Sequence, residues 1–135
     1  MYRVLMPVDS NETRALAQAN YVADLPNVAE EVEVVLLYVF TEKDAESDSR
    51  DVTRIASVKR VREYLEKRGI AVRIREDSVE RVQSILDHAE EHDVDSLVLG
   101  GRKRSPAGKA LFGSVTQAVI LNTNRPVVVT GGGGD

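Results

Sequence analysis

Five short apolar runs alternate with stretches whose apolar residues recur at helical spacing, and this alternation constrains the fold more than anything else in the chain. Val4-Leu5-Met6-Pro7-Val8 reads as a first strand. Residues 11–24 follow as a helix, with Ala15, Leu16, Ala19, Val22 and Ala23 on one face. Residues 32–40 (Val-Glu-Val-Val-Leu-Leu-Tyr-Val-Phe) are nearly continuous hydrophobe, as in a central strand covered on both faces. The spacing predicts a second helix over 52–68, with Ile55, Val58, Val61 and Leu65 inward and Gly69 as its stop. Residues 70–75 alternate apolar and basic, as a half-exposed edge strand does. A third helix over 79–92 carries Val82, Ile85, Leu86 and Ala89 as its stripe. Residues 94–99 form a fourth strand, 113–123 a fourth helix and 126–130 a last strand.

Strand and helix alternating to the end predict one doubly wound α/β domain over 1–130, with a mainly parallel five-stranded sheet and helices on both faces. The most apolar strands are the first, second and fourth, and they belong in the middle. The order 3-2-1-4-5 puts them there. It also reverses the winding between strands one and four, and ligands of such sheets bind at the carboxyl ends flanking that point. Those ends are Val8-Asp9 and Leu99-Gly100.

The loop after Leu99 points the same way. Between Gly100 and Gly113 it carries Gly100, Gly101, Gly108 and Gly113 with the cations Arg102, Lys103, Arg104 and Lys109. Glycine admits close approach of backbone N–H groups to an anion, a helix N-terminus adds partial positive charge, and cations neutralise the rest. This basic loop stands out in a chain of net charge −4, which favours a small anion over nucleic acid. With 135 residues the chain has the size of one domain. The absence of cysteine excludes disulfides and cysteine-ligated metals. No apolar stretch approaches the ~20 residues of a membrane span, and nothing reads as a signal peptide, so the expected location is cytoplasmic. The glycine-rich residues 131–135 are expected to be a disordered tail.

Val4-Leu5-Met6-Pro7-Val8-Asp9-Ser10, Leu36-Leu37-Tyr38-Val39-Phe40, His92-Asp93-Val94-Asp95-Ser96-Leu97-Val98-Leu99-Gly100 and Gly113-Ser114-Val115-Thr116 through Arg125-Pro126-Val127-Val128-Val129 occur in this order along essentially the whole chain. Together they resemble the universal stress protein family. Tyr38 stands where that family commonly has histidine. Its ATP-binding members carry glycine, two residues, glycine, nine residues, glycine, then serine or threonine. Here Gly100 opens the pattern and Gly113-Ser114 closes it, but Lys103 occupies the middle glycine position. A Gly-x-Pro that often opens the family's third helix would fall at Val79 and Arg81, and this sequence lacks it.

The resemblance implies that Asp9 contacts the adenosine part of a nucleotide, with Val8 and Val39 lining the base pocket and Leu99 and Gly100 as its floor. Gly113, Ser114 and Val115 would hold the phosphates, and Pro7, Arg102, Lys103 and Thr116 complete the expected site. It further implies a homodimer joined through the edge strand 126–130, acting as a nucleotide-binding regulator of the stress response with unspecified protein partners. The ligand would be ATP, AMP or ADP, with Mg2+ on the phosphates near Ser114 and at most slow hydrolysis. No nucleophile, activated base or triad is evident. Two alternatives stay open. One is a nucleotide-free dimeric interaction module of the same family, for which Lys103 speaks. The other is a small adenine-nucleotide-using enzyme, such as an adenylating ligase, against which the short chain speaks.

Each feature has a plainer reading. Gly113-Ser114 could simply start a helix, with Ser114 as its cap. Asp9 and Glu12 have capping-box spacing, and Ser10 and Asn11 are further candidate caps. The loop cations suit a solvated surface. His88 and His92, four apart, could share a metal, but no third ligand is evident and both read as solvated helix positions. The acidic stretch 41–51 suits either a lid or a surface loop.

Overall fold

A computed structural model describes residues 1–41, 44, 51–101 and 112–131. Arg102, Lys103, Arg104 and Lys109, most of the acidic stretch 41–51 and residues 132–135 lie outside the described residues. The elements are β1 (Tyr2–Val8), α1 (Glu12–Ala23), α2 (Val28–Glu31), β2 (Val32–Val39), a 3-10 turn (Val52–Arg54), α3 (Ala56–Glu66), β3 (Ala71–Asp77), α4 (Arg81–Glu91), β4 (Ser96–Gly100), α5 (Ser114–Asn122) and β5 (Val127–Thr130).

The sheet has the order β3-β2-β1-β4-β5 and every pairing is parallel, as the strand patterns predict. Side chains alternate across it and build two cores. Val4, Met6, Val34 and Leu36 face α1 and α3 and meet Ala15, Ala19, Val58, Val61 and Leu65. Leu5, Val35, Leu37, Leu97 and Leu99 face α4 and α5 and meet Ile85, Ala89 and Val119. β3 is the polar edge strand, with only Val72 and Ile74 packed against the first core.

Two helices differ from their sequence patterns. The expected helix over 52–68 is divided: Asp51 accepts from the Thr53 N–H and hydroxyl (3.0 and 2.6 Å) and closes a separate 3-10 turn. Ile55 is then extended (φ −66°, ψ 123°) and α3 starts afresh. The short α2 has no apolar period long enough to show in sequence; Asn27 precedes it in the left-handed region (φ 53°). Gly69 ends α3 as expected. At φ +76° it lets the Ile70 N–H return to the Leu65 carbonyl (3.1 Å), a turn that a β-carbon would strain.

The two ladders of β1 are unequal. Against β2 it pairs from Tyr2 to Val8, whereas against β4 it pairs only at Val4–Ser96 and Leu5–Leu97. Pro7 brings no N–H with which to continue toward β4. The sheet therefore opens between β1 and β4 at their carboxyl ends, where the winding reverses.

Candidate functional site

Gln18 fills the throat of this opening. Its Nε2 donates to the Pro7 carbonyl (2.8 Å) and the Val98 carbonyl (3.0 Å), the acceptors released where the strands part. The residue is 1 % exposed, so one buried amide satisfies two carbonyls that no strand reaches.

Above Gln18 lies a cleft of about 210 Å3. Pro7, Val8 and Asp9 line it from β1, Val39 from β2, and Leu99 and Gly100 from β4. Gly113, Ser114, Val115 and Thr116 line it from the start of α5. All the described residues expected from the sequence at the site thus surround one cleft; Arg102 and Lys103 are the expected ones that lie outside the described residues. Arg14, Gln18, Leu37, Arg81 and Ile85 also line it and were not singled out. Gln18 had a signal, since it is a polar residue on the core-facing stripe of α1. Arg81 stands at the helix opening where the family's proline would fall. Arg14 had none, because its partner lies outside the helical repeat.

Asp9 is not the cap of α1. That place belongs to Asn11, whose side chain accepts from the Arg14 N–H (2.9 Å), so the Asp9–Glu12 capping box does not form. Asp9 instead steadies the turn: Oδ1 accepts from the Asn11 N–H (2.9 Å) and Oδ2 from Arg14 Nη1 (2.6 Å). Its carbonyl accepts from the Ser57 hydroxyl (2.6 Å), tying the β1 end to α3. Arg14 keeps a buried Nε with no hydrogen-bond partner among the described residues.

Ser114 is likewise not a cap. Gly113 occupies the N-cap position of α5, and no side chain there accepts a backbone N–H. Among the described residues no side-chain cap therefore meets the first N–H groups of α5, whose residues Gly113 to Thr116 line the cleft. Thr116 Oγ1 donates to the Gly100 carbonyl (3.4 Å), joining α5 to the end of β4. The two glycines after Leu99 also have packing causes. A β-carbon at Gly100 would lie 2.6 Å from Arg14 Cγ, and one at Gly101 would lie 2.3 Å from the Thr130 carbonyl oxygen.

Beside the cleft, Tyr38 donates to Asp44 Oδ1 (2.9 Å), and Asp44 Oδ2 accepts from the Thr41 N–H (2.7 Å). Burial first, then the Asp44 hydrogen bond and charge, push the Tyr38 hydroxyl up to about 12. His88 and His92 depart from the solvated positions expected of them: the His88 side chain is 12 % exposed and stacks on His92 with ring centroids 5.7 Å apart.

The cleft offers an apolar floor (Val8, Val39, Leu99), one carboxylate, two guanidinium groups and an open helix N-terminus. That set suits a planar ring joined to an anion. Among the described lining residues no histidine or second carboxylate stands by to activate a nucleophile.

The family model described as Universal stress protein family matches residues 1–131. A universal stress protein of Mycolicibacterium smegmatis (strain ATCC 700084 / mc(2)155) is 35% identical over 89 residues, covering 65% of this chain and 68% of that protein. A universal stress protein structure from Archaeoglobus fulgidus has a TM-score of 0.67 at 27% identity, covering 96% of this chain and 98% of that one. Another from Archaeoglobus fulgidus, in complex with dAMP, has a TM-score of 0.66 at 21% identity, covering 96% of this chain and 98% of that one. Among the described residues no helix is long and apolar enough to cross a membrane.

Proposed function

The chain belongs to the universal stress protein family, and from that premise we propose that it binds ATP in the cleft between β1 and β4 and acts as a homodimeric regulator. The observation that carries the reading is the start of α5. Its first residues line the cleft with no side-chain cap among the described residues, at the place where an α/β sheet of this winding takes a ligand. Arg14 and Arg81 add positive charge to the same cleft, and Val8, Val39 and Leu99 offer an apolar seat for a base. A relative of the same fold was solved with dAMP, an adenine nucleotide. Mg2+ would accompany the phosphates near the Ser114 hydroxyl.

The dimer would form through β5, which ends the sheet. The Pro126 carbonyl accepts from Leu97 N–H (2.9 Å), so by alternation Val127 and Val129 present their N–H and C=O groups to the open edge.

Calorimetric titration with ATP and AMP, each with and without Mg2+, tests the reading. Saturable ATP binding, tighter than AMP, is expected. Gly113→Val should abolish it in a folded protein, because Gly113 has an ordinary backbone conformation (φ −67°, ψ 161°) that valine adopts. Unchanged affinity in that variant would remove the start of α5 from the site. A second reading, the nucleotide-free dimeric module, draws on Asp9: both its oxygens are already engaged, by Arg14 and by the Asn11 N–H. No heat with either nucleotide, in protein that sediments as a dimer, would favour it.

A further inference from the structure

Away from the cleft, the last turn of α4 gathers three metal-binding side chains that the nucleotide reading does not use. One ring nitrogen each of His88 and His92 and a carboxylate oxygen of Glu91 lie within 4.8 Å of one another. Their spacing, three and four residues apart, puts them on one helical face. His88 Nδ1 and His92 Nε2 are both buried and have no hydrogen-bond partner among the described residues. A buried polar atom left this way is costly, and a metal ion is a ready partner for an unprotonated ring nitrogen.

The opposite edge of the His88 ring is already held. Its Nε2 lies 3.3 Å from Asp77 Oδ2, and Asp77 is fixed in turn by the Ser84 hydroxyl (2.9 Å) and the Ser78 N–H (2.9 Å). A carboxylate behind an imidazole favours the tautomer protonated on that side and leaves the far nitrogen as a lone-pair donor. That far nitrogen, Nδ1, stands 4.0 Å from Glu91 Oε2.

Tetrahedral coordination with bonds of about 2.0–2.2 Å sets ligand atoms about 3.4 Å apart. The Glu91 side chain is 70 % exposed, so rotation of that carboxylate can close the gap. The surrounding charges fit as well. Arg75 and Arg3 act on the His92 ring, and Glu91 acts against them. Arg3 is itself paired with Glu33 at 2.8 Å, which moderates its repulsion of a cation.

We infer that His88, Glu91 and His92 form a site for a divalent first-row transition metal of the zinc type, with Asp77 as the positioning residue. Two imidazoles and one carboxylate suit such ions and not Mg2+ or Ca2+, which take oxygen. Water completes the coordination. The ion would staple the last turn of α4 and, through His88 and Asp77, fasten that helix to the end of edge strand β3.

The test uses untagged, chelator-stripped, nucleotide-free protein titrated with Co2+ by visible absorption and with Zn2+ by calorimetry. One equivalent, with d–d bands of a low-coordinate Co2+ site, is expected. His88→Gln and His92→Gln should each weaken binding at least 10-fold, and Asp77→Asn about 10-fold or more. Gly113→Val should leave metal binding intact, so this inference stands or falls apart from the nucleotide reading. An aqueous Co2+ spectrum with wild-type protein would overturn it. So would Zn2+ affinity unchanged in a folded His88→Gln/His92→Gln double variant.

Discussion

The two ends of the sheet use the same chemistry to opposite effect. At the amino end, Arg3 makes four hydrogen bonds: Nε with Glu33 (2.8 Å), Nη1 with the His92 carbonyl (2.7 Å), and its backbone in reciprocal bonds with Asp95 (both 2.7 Å). Arg125 does the same beside β5, reaching the Val94 carbonyl (3.0 Å), Glu90 (3.1 Å) and Asp93 (3.1 Å). At the carboxyl end, among the described residues, Arg14 has one carboxylate and an unpartnered Nε, Arg81 lines the cleft, and the start of α5 has no side-chain cap. Apart from the ring nitrogens of His88 and His92, the amino end is stitched around Arg3 and Arg125, whereas the carboxyl end is left with hydrogen-bonding capacity to spare around the cleft. Capacity of this kind is what a ligand can use, and a closed network cannot offer it.

The comparison can be broken most severely at Gln18, which alone among the described residues spans the open end. Gln18→Leu removes the donor to two carbonyls, and we expect a loss of about 2–3 kcal/mol in urea unfolding. Loss below 0.5 kcal/mol would mean that water replaces the amide and that the gap needs no bridge. Arg3→Ala attacks the stitched end. Arg3 is partly exposed and Glu33 keeps Arg73 at 3.2 Å, so about 1 kcal/mol is expected from the same denaturation curve. A larger loss than in Gln18→Leu would reverse the ranking of the two ends.

Tyr38→Phe gives the smallest effect near neutral pH, about 0.5–1.5 kcal/mol for one hydrogen bond, and sharpens the comparison through pH. With the folded hydroxyl pushed up from 10.0 to about 12, the neutral form is favoured in the native state. Its stabilising contribution is complete below pH 10 and is lost as pH rises toward 12. Tyrosinate absorbance should show a late step that Tyr38→Phe deletes, together with a shallower alkaline loss of stability. A titration identical in the two proteins would mean that Asp44 does not hold the Tyr38 hydroxyl.

Several features were legible because they rest on local pattern. The strand order follows from which runs are most apolar, and that order alone places Val8-Asp9 beside Leu99-Gly100. Of the cleft-lining residues, Val8, Asp9, Leu99, Gly100, Gly113 and Ser114 were reachable from strand order and loop composition, whereas Val39 and Val115 came with the family resemblance. Caps were not. Asp9, Ser10 and Asn11 are all competent, and the choice of Asn11 depends on Arg14 drawing Asp9 aside. The glycines of the basic loop suggested room for an anion, but Gly101 is needed at least as much by the Thr130 carbonyl.

What the sequence determined by itself is therefore the doubly wound sheet, its order and the end at which the cleft opens, because hydrophobic period and run length act along the chain. Only the tertiary structure decided that Gln18 closes the floor across 80 residues, that Arg14 holds Asp9, and that Asp77 backs His88 on a turn where the sequence offered no third ligand. Glu91 stood between the two histidines all along, yet a helical repeat says only which residues share a face. Whether their polar atoms are buried, paired or left wanting a partner depends on what packs against that face, and that is settled by contacts between residues distant in the chain.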